Sequence, residues 1–388
     1  MTPAVTDPPR RQRPPTLARR AGGVLLWVLT LPLIAAVAVG LAAQWIDPRA
    51  LWWPQLFAVL LPFLSFGLVA TAVLSLVLKV RGLALVQTVL LLFVLVRTEP
   101  WARLGEASGE GEALHLMTFN VPEQLAPEAM RDSMAAFVRR EAPDVLVVQD
   151  AWVRGPRQER EAWEAPQVRG VVDSLGYGLR VPALVPGQRG WKRGATGIPL
   201  LLAPEAARVT AQEAIVVAGP GDDESSQATR SVIEWEGRSF VLYNVHLRSF
   251  GQAKPWLDPE FTPLRPRTWP RSFSRLSEVY RERATDVDMI AEAIAAETLP
   301  VVIAGDFNST ADNWSYRELR QAGGIRRQDA YREAGDTVWG RTYHADNLVV
   351  RIDHVLVDPA LAVERAEMRN VGFSDHRPVL TRLRWRDE

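Results

Sequence analysis

Two uncharged apolar runs near the N-terminus constrain this chain more than any other feature. "AGGVLLWVLTLPLIAAVAVGLAAQW" (21–45) and "LWWPQLFAVLLPFLSFGLVATAVLSLVL" (51–78) are each long enough to cross a bilayer core of about 30 Å at roughly 1.5 Å per residue. Core helices of soluble proteins seldom run so far without a charge. A cleaved signal peptide is shorter and is not followed at once by a second run. Trp52 and Trp53 stand where an interfacial aromatic belt would place them. A third run, "GLALVQTVLLLFVLV" (82–96), is marginal as a span. Residues 21–97 therefore read as a membrane region, behind a Pro- and Arg-rich start (1–20) whose composition predicts disorder.

The basic residues orient it. Arg10, Arg11, Arg13, Arg19 and Arg20 hold the N-terminus in the cytoplasm, and Lys79 and Arg81 mark the turn before the third run as cytoplasmic too. Three spans carry the rest of the chain outside the cytoplasm, and two leave it inside. The expectation is an integral membrane protein whose large domain is extracytoplasmic, and it rests on the 82–96 run.

A Gly/Glu-rich linker (98–112) leads into a domain over 113–388, where strand-like and helical stretches alternate as in a mixed α/β fold. The chain is neutral overall, but residues 1–100 hold nine Lys/Arg against three acids, which leaves 101–388 at a net charge of about −6. That balance supplies no electrostatic footprint for a long nucleic acid. The absence of cysteine excludes disulfides, thiolate metal sites and cysteine nucleophiles. One segment, 248–275, is dense in Pro, Arg and aromatics and reads as a long loop. A helical stretch (276–297) follows it.

Within the domain, apolar runs repeatedly end in polar residues. "VVIAGDFNST" (301–310) delivers Asp306 and Asn308, with Gly305 giving the backbone room. "HLMTFN" ends on Asn120, "DVLVVQD" on Gln149 and Asp150, and "FVLYNVHL" carries Asn244 and His246. "VVRIDHVLV" holds Asp353 and His354, and "GFSDHRPVL" places Asp375 and His376 ahead of another run. A Gly-Asp-Asn-Ser cluster alone would pass for a turn. Six such runs would build one site if their ends share an edge of the sheets. The residue types suit metal-assisted phosphoester hydrolysis: hard oxygen ligands for a divalent cation, a carboxylate base for water, and an imidazole near the phosphate. No G-x-S-x-G elbow, P-loop or H-E-x-x-H is present, which leaves serine hydrolases, nucleotide-driven motors and zincins without support.

"TFNV", "VVQD", "YNVHL", "GDFNS", "RIDHV" and "SDHRPV", in that order, resemble the endonuclease/exonuclease/phosphatase superfamily, which includes DNase-I-like nucleases, neutral sphingomyelinases and inositol-polyphosphate 5-phosphatases. The resemblance covers about 113–385 and implies a four-layered α/β sandwich with two mixed β-sheets. It implies Mg²⁺, with Mn²⁺ as a substitute, held by Asp150, Asn120 and Asp375. In that reading Asp306 activates water, and Asn308 positions it or the phosphate. His376 stabilises the phosphorane, held by Asp353, and His246 contacts the scissile phosphate. Asn244 and Arg248 are taken as substrate-binding. Two departures stand out. Asp150 replaces the usual Glu, and "GATGIPLLLAP" (194–204) lacks the Asn and Ser of the family's Gly-Asn-Ala-Ile-Leu-Ser stretch.

The resulting expectation is a membrane-anchored, divalent-metal-dependent phosphodiesterase or phosphatase acting on a lipid or small phosphoester. The partners implied are that substrate and the bilayer. Nucleic acid stays among the admissible substrates, and no protein partner is expected. The alternatives are an extracytoplasmic nuclease and a catalytically degenerate domain that binds phospholipid or a partner. Arg248, Lys254, Arg265, Arg267 and Arg271, with Trp256, Phe261 and Trp269, are candidates for a substrate-gripping lid. His115, His344 and His354 are assigned structural roles.

Overall fold

The computed structural model describes residues 17–99, 110–122, 124–154, 165–182, 195–215, 217, 226–254, 267, 269–336, 340–344 and 350–386. Most of the Pro/Arg-rich start, most of the linker and the centre of the proposed lid, including Trp256, Phe261 and Arg265, lie outside the described residues.

The chain opens with three apolar helices, α1 (Leu17–Ala42), α2 (Pro54–Val77) and α3 (Arg81–Arg97). The stretches Ala21–Trp45 and Pro54–Val77 are long and apolar enough to cross a membrane. Val24, Leu25, Val28, Leu29, Leu31, Phe63, Phe66, Val69 and Val73 point outward at 46–67% exposure, while only a thin seam around Val37, Leu61 and Leu68 is buried. A water-soluble hairpin would leave a far smaller apolar surface uncovered. At 17 residues α3 is the shortest of the three, and it packs against the other two.

The strands of the large domain are β1 (Glu110–Asn120), β2 (Val145–Gln149), β3 (Val153–Arg154), β4 (Gly178–Arg180), β5 (Ala195–Thr196), β6 (Leu200–Leu202) and β7 (Arg208–Ile215). They continue as β8 (Gln227–Trp235), β9 (Arg238–His246), β10 (Val301–Asp306), β11 (Gln328–Asp329), β12 (Asp353–Val357), β13 (Leu361–Met368) and β14 (Val379–Trp385). Two six-stranded mixed sheets result, in the orders β13-β14-β1-β2-β6-β4 and β11-β12-β10-β9-β8-β7, with β3 and β5 forming a small ribbon. The parallel pairs, β1 with β2 and β9 with β10, lie at the sheet centres, where strands buried on both faces are expected to be continuously apolar.

The sheets face one another across a core that includes Leu116, Val147, Leu242, Val302, Val355 and Leu383. Helices α4 (Pro127–Glu141) and α5 (Pro166–Leu175) cover the outer face of the first sheet through Met134, Phe137 and Val171. Helices α6 (Trp269–Ala295) and α7 (Trp314–Gln321) cover the second through Ala284, Ile290, Trp314 and Leu319. The order helix, sheet, sheet, helix is the four-layered DNase-I-like sandwich. A short helix, α8 (Ala330–Ala334), caps one edge.

Helix α6 starts seven residues before the periodic stretch that announced it, so Trp269 and Arg271 belong to a helix and not to a loop. Pro270 is its second residue, a position that Pro tolerates because the first amides of a helix have no internal acceptor. The apolar helices rest on the domain. Glu99, just beyond α3, is buried and takes two hydrogen bonds from Arg320 (2.8 and 2.9 Å), one from Arg326 (2.8 Å) and one from Arg332 (3.2 Å). Burial pushes the Glu99 carboxyl up, but the three guanidinium groups more than offset this and hold it below its usual range.

Candidate active site

Strand register brings the first three groups together. β10 runs parallel to β9 and antiparallel to β12, so Asp306 is paired with His246 on one side and Asp353 on the other. Directly paired residues point to the same face of a sheet, so one imidazole and a second carboxylate flank Asp306. Gly305 is indispensable to that approach: at φ +145° a Cβ would stand 1.9 Å from the Val245 carbonyl oxygen.

The other sheet and two loops complete the cluster. Asn120, the last residue of β1, reaches across and donates from Nδ2 to Asp306 Oδ2 at 2.9 Å. Its Oδ1 is buried and finds no donor among the described residues. His376 sits with Nδ1 2.9 Å from Asp353 Oδ2 and 3.2 Å from Oδ1, and with Nε2 3.9 Å from Asp306 Oδ2. His246 lies between two carboxylates, Nε2 3.7 Å from Asp306 and Nδ1 3.7 Å from Asp150. Asn308 adopts φ 46°, a left-handed conformation that Asn tolerates better than most residues. Its backbone N–H donates to Asp306 Oδ1 at 2.8 Å and its Nδ2 to the Leu247 carbonyl at 2.8 Å.

Burial, reinforced by the Asp353 charge, pushes the Asp306 carboxyl up to about 6, against the pull of His376 and His246. Burial acts to lower His376, but the Asp353 carboxylate, aided by Asp306, overcomes it and raises the imidazole to about 10. At neutral pH His376 is therefore a cation whose Nδ1–H donates to Asp353. Asp306, Asp353 and His376 offer ligand atoms within 4.8 Å of one another, all buried.

The remaining expected residues fall into two groups. Asp150 follows β2 at φ 58° with its side chain 32% exposed, and half-buried Asp375 accepts a 2.8 Å hydrogen bond from Gln124. Both carboxylates are at the rim of the cluster, next to solvent. Asn244 and Arg248 are directed elsewhere. The Asn244 side chain lies between the sheets, where Oδ1 accepts from Gln149 (2.7 Å) and Nδ2 donates to the Ile198 carbonyl (3.1 Å). Arg248 is buried and paired through Nε with Glu282 at 2.8 Å. His354 packs between Phe307 and Tyr316, with Nε2 2.9 Å from the Ser309 carbonyl. Burial, with Arg351 nearby, drives it down to about 3, so it is neutral and donates to that carbonyl.

Two residues at the site escaped the sequence reading. Arg283 on α6 is 1% exposed and donates to the Asn308 carbonyl (2.6 Å) and the Arg248 carbonyl (2.6 and 2.9 Å). The signal was there: Leu276, Val279, Tyr280, Arg283, Val287 and Ile290 follow helical spacing, so a charge occupies an apolar stripe. Tyr343 packs on His376 at 4.9 Å and accepts from Lys254 Nζ at 3.1 Å, which brings one of the proposed lid cations to the site. Nothing in the pattern around Tyr343 marks it.

The sequence pattern of the Endonuclease/Exonuclease/phosphatase family matches residues 117–376, well over half the chain. The chain belongs to this family. Comparison with curated proteins gives no match. Solved structures that it resembles include a family protein from Beutenbergia cavernae, at 20% identity over 71% of this chain and 72% of that one with a TM-score of 0.48. The human Nocturnin catalytic domain with bound sulfate is similar at 16% identity over 71% and 94%, TM-score 0.47. A mannosyl-6-phosphatase of Bacteroides thetaiotaomicron is similar at 16% over 70% and 99%, TM-score 0.45. Family membership makes this chain a relative of phosphatases, nucleases and phosphodiesterases. Likenesses this distant carry nothing about its substrate.

Proposed function

We propose that the chain is a membrane-anchored, divalent-metal-dependent phosphoester hydrolase, with catalytic domain 113–388 outside the cytoplasm and anchor 21–97 spanning the bilayer three times. The observation that carries the hydrolase reading is the arrangement around Asp306: two imidazoles and a second carboxylate beside it, and the buried, undonated Asn120 Oδ1 beside it as well. A buried amide oxygen without a donor costs about 1–3 kcal/mol unless something engages it. A hard cation is the group that fits, because the donors this reading assigns to it, Asn120 Oδ1 and the Asp150 and Asp375 carboxylates, are all oxygen.

In this reading Asn120 Oδ1, Asp150 and Asp375 hold the cation, Mg²⁺ by preference. Once bound it would draw charge from a phosphoryl oxygen. Asp306, with its carboxyl near 6, is basic enough to take the proton of an attacking water and is still ionised at neutral pH. Asn308 fixes that carboxylate through its backbone N–H. His376, cationic at neutral pH, presents Nε2–H to charge developing on the phosphate, while Asp353 holds its Nδ1–H. His246 reaches the same space between Asp306 and Asp150. Asn244 and Arg248 have no part in it, since their side chains are occupied away from the cluster.

The topology has its own support. The start of α2 and the residue just beyond α3 both contact the catalytic domain, through Gln55 and Glu99, which supports placing those points on its side of the bilayer. Arg19, Arg20, Lys79 and Arg81 are then gathered on the opposite side, which the positive-inside rule makes cytoplasmic.

The experiment is turnover by the full chain, in detergent or nanodiscs, of a panel comprising a chromogenic diester, phospholipids, inositol phosphates, sugar phosphates and single-stranded DNA. Turnover that needs both Mg²⁺ and Asp306 establishes the hydrolase, and the preferred substrate names its class. A folded chain that binds Mg²⁺ and turns over none of them refutes it.

A further inference from the structure

We propose that Trp52 and Gln55, at the junction of the first two apolar helices, are positioning residues for the loop that carries Asp306 and Asn308. The anchor is then a working part of the active site as well as a tether. The inference rests on the hydrolase reading above.

Gln55 is 1% exposed, and its amide is fully engaged. Its Nε2 donates to the Ala43 and Ile46 carbonyls at 2.8 and 2.9 Å, which ties it to the end of the first span. Its Oε1 accepts from Asn313 Nδ2 and from the Trp314 N–H, both at 3.1 Å. The Gln55 carbonyl accepts from the same Asn313 amide at 3.0 Å. Asn313 Oδ1 in turn accepts from the Thr310 N–H and hydroxyl, each at 2.8 Å. One anchor residue thus sets Asn313, and Asn313 sets the far half of the catalytic loop.

Trp52 reaches the near half. Its indole stacks on Tyr280, with ring centroids 6.3 Å apart and planes 28° from parallel. The Arg283 guanidinium lies over the Tyr280 ring at 5.5 Å and over Phe250 at 4.8 Å. Arg283 Nη1 then donates to the Asn308 carbonyl at 2.6 Å. Asn308 is held at positive φ with its N–H on the Asp306 carboxylate, so the carbonyl that Arg283 grips belongs to the residue that aims the base. A third contact, Arg97 Nη2 to the Ala311 carbonyl (3.2 Å) and Asp312 (3.1 Å), grips the middle of the same loop.

The pattern distinguishes positioning from adhesion. Glu99 and its three arginines already bind the anchor to the domain, away from the loop. The contacts of Gln55 and Arg97 converge instead on residues 311–314, and Trp52 stacks on the Tyr280 ring over which the arginine bracing Asn308 lies. Misplacing catalytic groups by about 1 Å can cost on the order of 100-fold in rate.

The test uses the full chain in nanodiscs, with Mg²⁺-dependent turnover of a chromogenic diester and hydrogen exchange read in parallel. Trp52→Ala and Gln55→Ala are expected to lower kcat about tenfold or more with KM little changed. Amide exchange should rise over 306–314 and stay constant over 320–332. Trp52→Phe, which keeps a ring on Tyr280, should recover most of the rate. Arg326→Ala, which removes one exposed arginine from the Glu99 contact away from the loop, should match the parent. Wild-type kcat and exchange in both alanine variants overturn the proposal. So does a loss of rate that merely follows the folded fraction, with exchange rising over the whole domain. Failure of the hydrolase reading looks different: Asp306→Asn would then turn over like the parent, while the exchange pattern would still report the mechanical link.

Discussion

The two sides of the cluster are built differently. Asp306, Asp353 and His376 come from the ends of β10 and β12 and the loop before β14, are buried, and are tied by strand register and short hydrogen bonds. Asp150 and Asp375 stand on loops at the rim, partly exposed, held by a 3.7 Å approach of His246 and by one contact from exposed Gln124. One side is preorganised by the sheets before anything binds. The other has acceptors to spare and little to fix them, as expected where a cation supplies the missing order. In the proposed reading, proton handling and phosphate contact fall to the rigid side, and metal recruitment to the loose one.

The largest break should come from Asp306. Asp306→Asn keeps the shape but removes the proposed base, and kcat should fall on the order of 10²–10⁴-fold. The same change should stabilise the metal-free protein. A buried carboxyl raised from 3.8 to about 6 favours its protonated form in the fold, so its contribution is complete below its unfolded value and lost as pH rises through 6. Thermal melts in EDTA at pH 7.5 should show a higher Tm for Asp306→Asn than for the parent. A lower one would mean that the carboxylate is not carrying that burden.

Asp353→Ala comes next and should act mainly on the fold. It strands the His376 imidazolium in a buried site, and breaking a buried ion pair typically costs about 3–5 kcal/mol. Relief of repulsion on Asp306 puts the expected loss at the low end. A rim substitution, Gln124→Ala, should leave the urea midpoint where it was. Equal losses from the two would erase the distinction between rigid and loose sides.

Much of the rigid side is legible in the sequence, for a physical reason. Buried strands read as short apolar runs, so Asp306, Asp353, Asn120 and His246 stand out as polar ends of β-periodic segments. The family order then selects them. What was not legible depends on tertiary packing. Asn244 shares the strand-end pattern and the strand face of His246 but sits two residues further back, where Gln149 and the Ile198 carbonyl take up its amide. Arg283 looks like one charge among many on an amphipathic helix until the stripe is drawn. The start of α6 was hidden by Pro270 and its aromatic neighbours, whose composition resembles a loop. Contacts of Gln55 and Glu99 with residues more than 200 positions away leave no local trace at all.

The pH dependence tests the same comparison more gently. His376 is raised from 6.5 to about 10, so its contribution to stability is complete below about 6.5 and is lost as pH rises through 10. In EDTA the Tm of the parent should therefore decline between pH 6.5 and 10. His376→Gln should flatten that decline, though its Tm is lower at pH 6.5. A parent curve as flat as that of the variant would show that Asp353 does not hold a charged imidazole.

The smallest effect belongs to the loose side. Asp150→Glu restores the longer carboxylate usual in the family and extends a partly solvated side chain by one methylene. The side chain is partly exposed, so the melt in EDTA should be unchanged within about 0.5 kcal/mol, as for ordinary surface substitutions. What should move is cation affinity. Calorimetric titration of the full chain with Mg²⁺ should give tighter binding by less than about tenfold, under 1.4 kcal/mol. If the longer arm instead weakens binding, the shorter Asp150 is matched to its backbone place at φ 58°. The loose side would then be organised by backbone conformation, and the contrast with the rigid side would narrow to how far each is exposed.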